Sequence, residues 1–330
     1  MPPLITCSDH DCEPPSNIDD CQIDEDHASV PQVKCDARFT ETSMLRMLTR
    51  SLPLRIETAQ LLNGLHSDTS NQATTRLGEK LTQACRANSS SLRAYDNTGS
   101  PDKKKPSAFA TKIVDTLCRH FLLSLHTPFA EKAALEPSYY FSRKICLDAS
   151  LLLLSYAKPS SASASQAQDD DFTRLTIVGR GAFRSVFLHT TSTVCFEART
   201  ELHEDSSPPT LTISNSLHIQ AVRDVVAVAW QRIQSGETSV KAYVCFGCAL
   251  AQIEAMQAGI SIEPTTMNAA QKCLESYLAI LEARVKETGK LAEEDPHTLQ
   301  DGIGLDSGFD QGLLPDYLVS HCSELPSLCF

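Results

Sequence analysis

Phe109, Ile113, Leu117, Phe121 and Leu125 recur at steps of four residues, a spacing that lines one face of a helix. Alternation of period two is sustained nowhere in the chain. Leu77, Leu81 and Cys85 repeat the same step in a helix expected to end near Tyr95. Pro137 can open a further helix, whose Tyr140, Ile145, Cys146, Ala149, Leu152 and Leu153 read as one wide buried stripe. Helical patterns continue over 171–202, through Gln234, over 239–258 and over 265–287. Near the start, Thr40 to Ser43 offer capping hydroxyls, and Pro53 sits where a first-turn proline would open a second helix, so a helix-turn-helix entry is expected there. Pro128 should stop or kink the helix that precedes it. No repeat of fixed period is found, so the expected fold is all-α, a multi-helix bundle or solenoid-like body.

The 330 residues are 42% hydrophobic, enough for a sizeable core. Their charge is unevenly placed. The net −12 comes from residues 1–36, with nine acids and one base, and from 289–330, with eight acids and one base, which leaves the middle at +3. The chain therefore reads as an acidic extended leader over 1–36, a helical body over 37–288 with loops at 158–170 and 203–210, and an acidic tail over 289–330 that is expected to be disordered alone. Such a balance creates no field that attracts nucleic acid. Thirteen cysteines without a secretory leader point to a reducing, intracellular setting. The apolar runs are too short to span a bilayer.

Several short patterns invite a chemical reading, and each has a plainer one. Val178-Gly179-Arg180-Gly181-Ala182-Phe183 resembles a glycine-rich phosphate loop, but no lysine, His-Arg-Asp or Asp-Phe-Gly follows, so two glycines in a helix or at a bend are expected. Cys245 and Cys248 have the spacing of a zinc or redox pair without a second pair nearby, and read as small buried residues. Cys7, Cys12, Cys21 and Cys35, with His10 and His27 among them, match no zinc module. His120 and His126 flank an apolar helix face with no nucleophile elbow in the chain to serve. No catalytic, cofactor-binding or metal-ligating residue is assigned.

Taken in order, a few stretches resemble one family. Pro15-Ser16-Asn17-Ile18-Asp19-Asp20 is similar to the acidic Pro-x-Asn-x-Asp-Asp opening of the regulatory region of fungal binuclear zinc-cluster transcription factors. Phe39 to Ser43 and Arg50 to Pro53 resemble the helix entry that follows. Leu125-His126-Thr127-Pro128-Phe129, continued by Tyr140-Phe141-Ser142-Arg143, looks like that family's Leu-His-x-Pro-Phe and Tyr-x-Ser-Arg pairing, which joins two core helices. The resemblance implies structural roles for His126, Pro128, Phe129, Tyr140, Ser142 and Arg143. It implies a nuclear transcription regulator, acting on a gene set or cluster through protein contacts with the transcription machinery, with co-regulators or with a DNA-binding zinc-cluster protein. The six closely spaced cysteines and basic segment by which the family grips DNA are not in this sequence, nor is a heptad run for dimerisation seen, so no direct DNA binding is expected. Phe309, Leu313, Leu314 and Tyr317 are the expected contacts of an activating tail. Two other readings are a shortened paralogue that titrates a full-length factor, and a helical small-molecule-binding protein or enzyme.

Overall fold

A computed structural model describes residues 9, 13–23, 31–64, 70–96, 104–157, 171–204 and 211–294. Among these the regular structure is helical, with no strand, and it divides into a unit ending at Thr173 and one beginning at Arg174.

In the first unit, α1 (Ser43–Asn63), α2 (Asn71–Asp96) and α4 (Tyr140–Ser155) all pack against α3 (Ala108–Ala130). The centrality of α3 shows in burial on several sides: Val114, Cys118, Leu122, Leu123 and Leu125 are buried, while of the periodic face only Leu125 is fully so and Phe109, Ile113, Leu117 and Phe121 are half-buried. Ser107 caps it by accepting from the Ala110 amide at 3.0 Å. Pro128 lies inside its last turn, and the helix ends two residues later at Ala130. Leu77, Leu81, Leu122 and Leu125 form one apolar cluster, while Met47, Leu92, Tyr95 and Val114 form another toward the opposite end.

Pro53 does not start a helix. It sits inside a continuous α1 of 21 residues. A proline there removes the bond to the Thr49 carbonyl and loosens the preceding turn. Nearby, Ser51 Oγ and Arg55 Nη2 both donate to the Leu48 carbonyl, at 3.0 and 2.8 Å, which supplies hydrogen bonding where the helical ladder is weakest.

The chain before α1 is held down by its polar residues. Asn17 is buried: its Nδ2 donates to the Cys35 and Arg38 carbonyls at 2.9 and 3.0 Å, and its Oδ1 accepts from Thr40 and Ser43 at 2.7 and 3.1 Å. Asp19, also buried, pairs with Lys34 and with Lys104, the latter at 3.6 Å. Asp36 bridges Arg46 and Arg50 at 2.8 Å each. Two acids of this stretch are thus matched by bases, Asp36 by arginines of α1 and Asp19 by Lys34 of the stretch itself and by Lys104. Lys104 also pairs with Glu41.

In the second unit, α6 (Ala182–Glu204), α7 (Leu211–Gln234), α8 (Lys241–Ala258) and α9 (Ile262–Glu294) pack around Val194, Val222, Ile233, Phe246 and Ile253. The division between the units falls within α5 (Asp171–Val178). Between α5 and α6 the backbone turns at Gly179-Arg180-Gly181, with Gly181 at φ +59°, a conformation that favours glycine. Gly259 ends α8 at φ +64°, and Ile260 N donates back to the Ala255 carbonyl at 3.0 Å. Gly247 lets α9 come close, since a Cβ there would stand 2.7 Å from Cys273 Sγ. The run from Thr190 to Thr193 is kept in mid-helix because each hydroxyl donates to a carbonyl one turn earlier, at 2.6 to 3.0 Å.

Candidate functional site

The most enclosed polar arrangement lies where α2, α3 and α4 meet. His126 is fully buried on α3, and its Nδ1 is 2.9 Å from Ser142 Oγ on α4. Its other nitrogen, Nε2, is also enclosed, without a hydrogen-bond partner, and faces α2 at Gly78. A Cβ at position 78 would stand 2.3 Å from Nε2, so the approach of α2 to the ring requires glycine. Burial pushes the His126 pKa down to about 4, and the imidazole is neutral at physiological pH. The Phe141 ring lies edge-on to it at 6.1 Å.

Around this contact the two segments singled out by resemblance come together. Phe129 is buried, with its ring tilted against that of Tyr139 at 5.2 Å between centres. Thr127 Oγ1 donates to the Leu123 carbonyl at 2.8 Å, and Arg143 is buried beside Ser142 on α4. Pro128 is exposed. Tyr140 departs from the buried stripe expected for α4: it is 62% exposed, because at the helical interval it lies on the side away from the buried Ser142, Cys146, Ala149 and Leu153. The residue of α4 that reaches His126 is Ser142, with Cys146 one turn on. Gly78 escaped sequence reasoning because a lone glycine inside a helical pattern carries no sign of what approaches it.

A second polar cluster lies along α3. Asp115 Oδ2 accepts from Arg119 Nε at 2.6 Å and from the Tyr156 hydroxyl at 2.7 Å. Burial and this carboxylate both drive the Tyr156 pKa upward. Close by, Cys85 on α2 and Cys118 on α3 are both buried, and the Cys118 sulfur has Ser51 Oγ and Asn88 Nδ2 at 3.5 Å. Interaction between the two thiols pushes Cys118 down and Cys85 up from the ordinary thiol value. Both sulfurs are 1% exposed, which shields them from reagents in solution.

In the second unit the buried Arg232 on α7 binds the α5–α6 bend. It donates to the Thr176 carbonyl, to the Gly179 carbonyl at 2.8 Å and to Glu237 at 3.3 Å, and its guanidinium lies 6.0 Å from the centre of the Phe187 ring. The glycine-rich stretch is therefore a bend whose carbonyls are taken up by an arginine. Cys248 is buried on α8 and Cys245 half-buried. Cys21 and Cys35 are exposed. Among the described residues no group of three or more His, Cys, Asp or Glu could hold a metal ion, and no helix is long and apolar enough to cross a membrane. Cys7, Cys12, His10, His27, Phe309, Leu313, Leu314 and Tyr317 lie outside the described residues.

No family model matches the chain, and no solved structure matches it. Curated relatives do. It is 31% identical over 312 residues to transcription factor lepE of Aspergillus flavus, covering 91% of this chain and 36% of that protein. It is 30% identical to transcription factor opdR of Penicillium oxalicum, covering 100% of this chain and 43% of the relative. It is 31% identical to the aspyridones cluster regulator apdR of Emericella nidulans, covering 93% and 42%. The chain spans about two fifths of the length of these relatives. Over nearly its whole length it is therefore related to one region of fungal transcription factors and gene-cluster regulators.

Proposed function

We propose that the chain is the regulatory part of a fungal transcription regulator, controlling a specific gene set or cluster through protein contacts in the nucleus and catalysing no reaction. The observation that carries this reading is the similarity, across more than nine tenths of the chain, to proteins named as transcription factors and as a cluster regulator. The enclosed polar groups support it. His126 is committed to Ser142, Asp115 to Arg119 and Tyr156, and Arg232 to backbone carbonyls. Groups so engaged hold helices in register rather than meet a substrate.

In this reading the helical body over 37–288 receives the regulatory input, and His126, Pro128, Phe129, Tyr140, Ser142 and Arg143 serve its architecture. Its partners are co-regulators, the transcription machinery or a DNA-binding zinc-cluster protein. The tail meets that machinery through Phe309, Leu313, Leu314 and Tyr317, aromatic and aliphatic residues among acids. The test is to fuse the chain to a heterologous DNA-binding domain upstream of a reporter in a fungal host. A change in transcription is expected, and alanine at the four tail positions should abolish the part due to the tail. A reporter that responds neither to the fusion nor to an isolated tail would refute the proposal.

A further inference from the structure

In the second unit a cleft opens between α6, α7 and α8. It has space because the residues that α7 and α8 bring to it include two alanines, Ala229 and Ala242, opposite the larger Phe187, Leu188 and Tyr243. With its open mouth it measures about 290 Å³, and its enclosed part has room for about one water molecule. Its charged residues stand together. Glu237 accepts from Arg232 Nη2 at 3.3 Å and from the Ser239 amide at 3.2 Å. Arg232 is spent on that carboxylate and on the carbonyls of Thr176 and Gly179. Arg184 is not spent. Its Nε lies 3.8 Å from Glu237, beyond hydrogen-bond range, and among the described residues its guanidinium donates to no acceptor. Two guanidinium groups thus share one carboxylate between apolar walls, a surplus of one positive charge. Burial pushes the Arg232 pKa down against the pull of Glu237, and the positive charges of Arg184 and Arg180 add to that push.

We propose that this cleft binds a small monocarboxylic acid with a flat apolar body, its carboxylate taken by Arg184 and its body lying against Phe187, Leu188 and Tyr243. Three observations select that chemistry. The surplus is a single charge, which one carboxylate neutralises and a dianion would overshoot. The donor still open is a guanidinium, whose planar fork matches the two oxygens of a carboxylate. The walls are two aromatic rings and a leucine, which favour a ring or a short chain beside that charge, and the size of the cleft keeps the body to about one ring. Arg184 is free to adjust to the occupant, since its side chain is 40% exposed, whereas Arg232 beneath is fixed by the α5–α6 bend. The proposal stands on the cleft alone, so its failure would leave the reading of the chain as a transcription regulator to its own reporter test.

The single tryptophan supplies the readout. Trp230 packs on Tyr243 with 5.1 Å between ring centres, so its emission reports on the cleft. The full chain is titrated with sodium benzoate up to about 10 mM, which covers weak binding. A saturating change is expected, and none with benzamide, which has the same shape without the charge. Arg184→Gln should weaken binding about tenfold or more, with helical circular dichroism unchanged. Glu237→Gln removes the competing carboxylate and should tighten binding several-fold, an effect that a merely structural role for this pair would not produce. Arg223→Gln, at an exposed arginine paired with Glu254 outside the cleft, should leave binding as it is. No saturable response to benzoate, an equal response to benzamide, or undiminished binding by Arg184→Gln would overturn the proposal. Should either cleft variant lose helicity, the comparison of benzoate with benzamide on the parent chain and the remaining variant decide.

Discussion

Gly78→Ala tests whether the junction of α2, α3 and α4 is as tight as its geometry states. The new methyl would lie 2.3 Å from His126 Nε2 and 3.0 Å from Cε1, where carbon and its neighbours settle at roughly 3.5 to 4 Å. The ring has little room to retreat, because Ser142 holds Nδ1 and Phe141 lies along its edge. Either α2 moves outward or the imidazole turns and leaves the Ser142 hydroxyl unpaired. Either response costs about 1–3 kcal/mol, by overpacking or by a buried hydroxyl left without its partner, and alanine in a helix interior returns about 1 kcal/mol relative to glycine. The net expectation is a loss of about 1 kcal/mol, read as a lower urea midpoint followed by far-ultraviolet circular dichroism. In a His126→Ala background the obstruction is gone, and the same substitution should change sign and stabilise by about 1 kcal/mol. An equal cost in both backgrounds, or none in the parent, would refute the account of the junction.

Two further outcomes follow from the same contacts. His126 is held at about 4 in the fold against about 6.5 in an unfolded chain, so the unfolded state binds the extra proton between those values. Stability should therefore be full above about pH 6.5 and fall by on the order of 3 kcal/mol as pH drops toward 4, a slope that unfolding curves of His126→Gln should lack. Asn17→Ala strips partners from the Thr40 and Ser43 hydroxyls and from the Cys35 and Arg38 carbonyls, and should cost about 2–4 kcal/mol. Its readout is faster tryptic cleavage after Lys34 and Arg38, and an unchanged cleavage rate would mean that the latch contributes nothing.

How much of this could be read in the sequence depended on whether the signal was periodic. The helix over 107–126 was legible because Phe109 to Leu125 repeat on one face, and it differs from α3 mainly at its end, where Pro128 is tolerated for one more half-turn. Pro53 misled because a proline looks the same whether it opens a helix or sits within one; what distinguishes the cases is the pair of donors from Ser51 and Arg55 at the Leu48 carbonyl. Asn17 belongs to a segment with no period at all, and its burial depends on carbonyls and hydroxyls 18 to 26 residues away. His126 and Ser142 were named through resemblance, but only the fold brings them within 2.9 Å and sets Gly78 behind the ring.

The latch at Asn17 also decides how the chain carries force. Because Asn17 is tied to Thr40 and to Ser43 at the start of α1, Asp36 to Arg46 and Arg50 of α1, and Asp19 to Lys34 and Lys104, a pull on the backbone ahead of residue 17 is taken up by hydrogen bonds and ion pairs loaded in parallel. The stretch behaves as a strap riveted along its length, so a tug at its free end arrives at the first turn of α1 as displacement instead of being lost as slack.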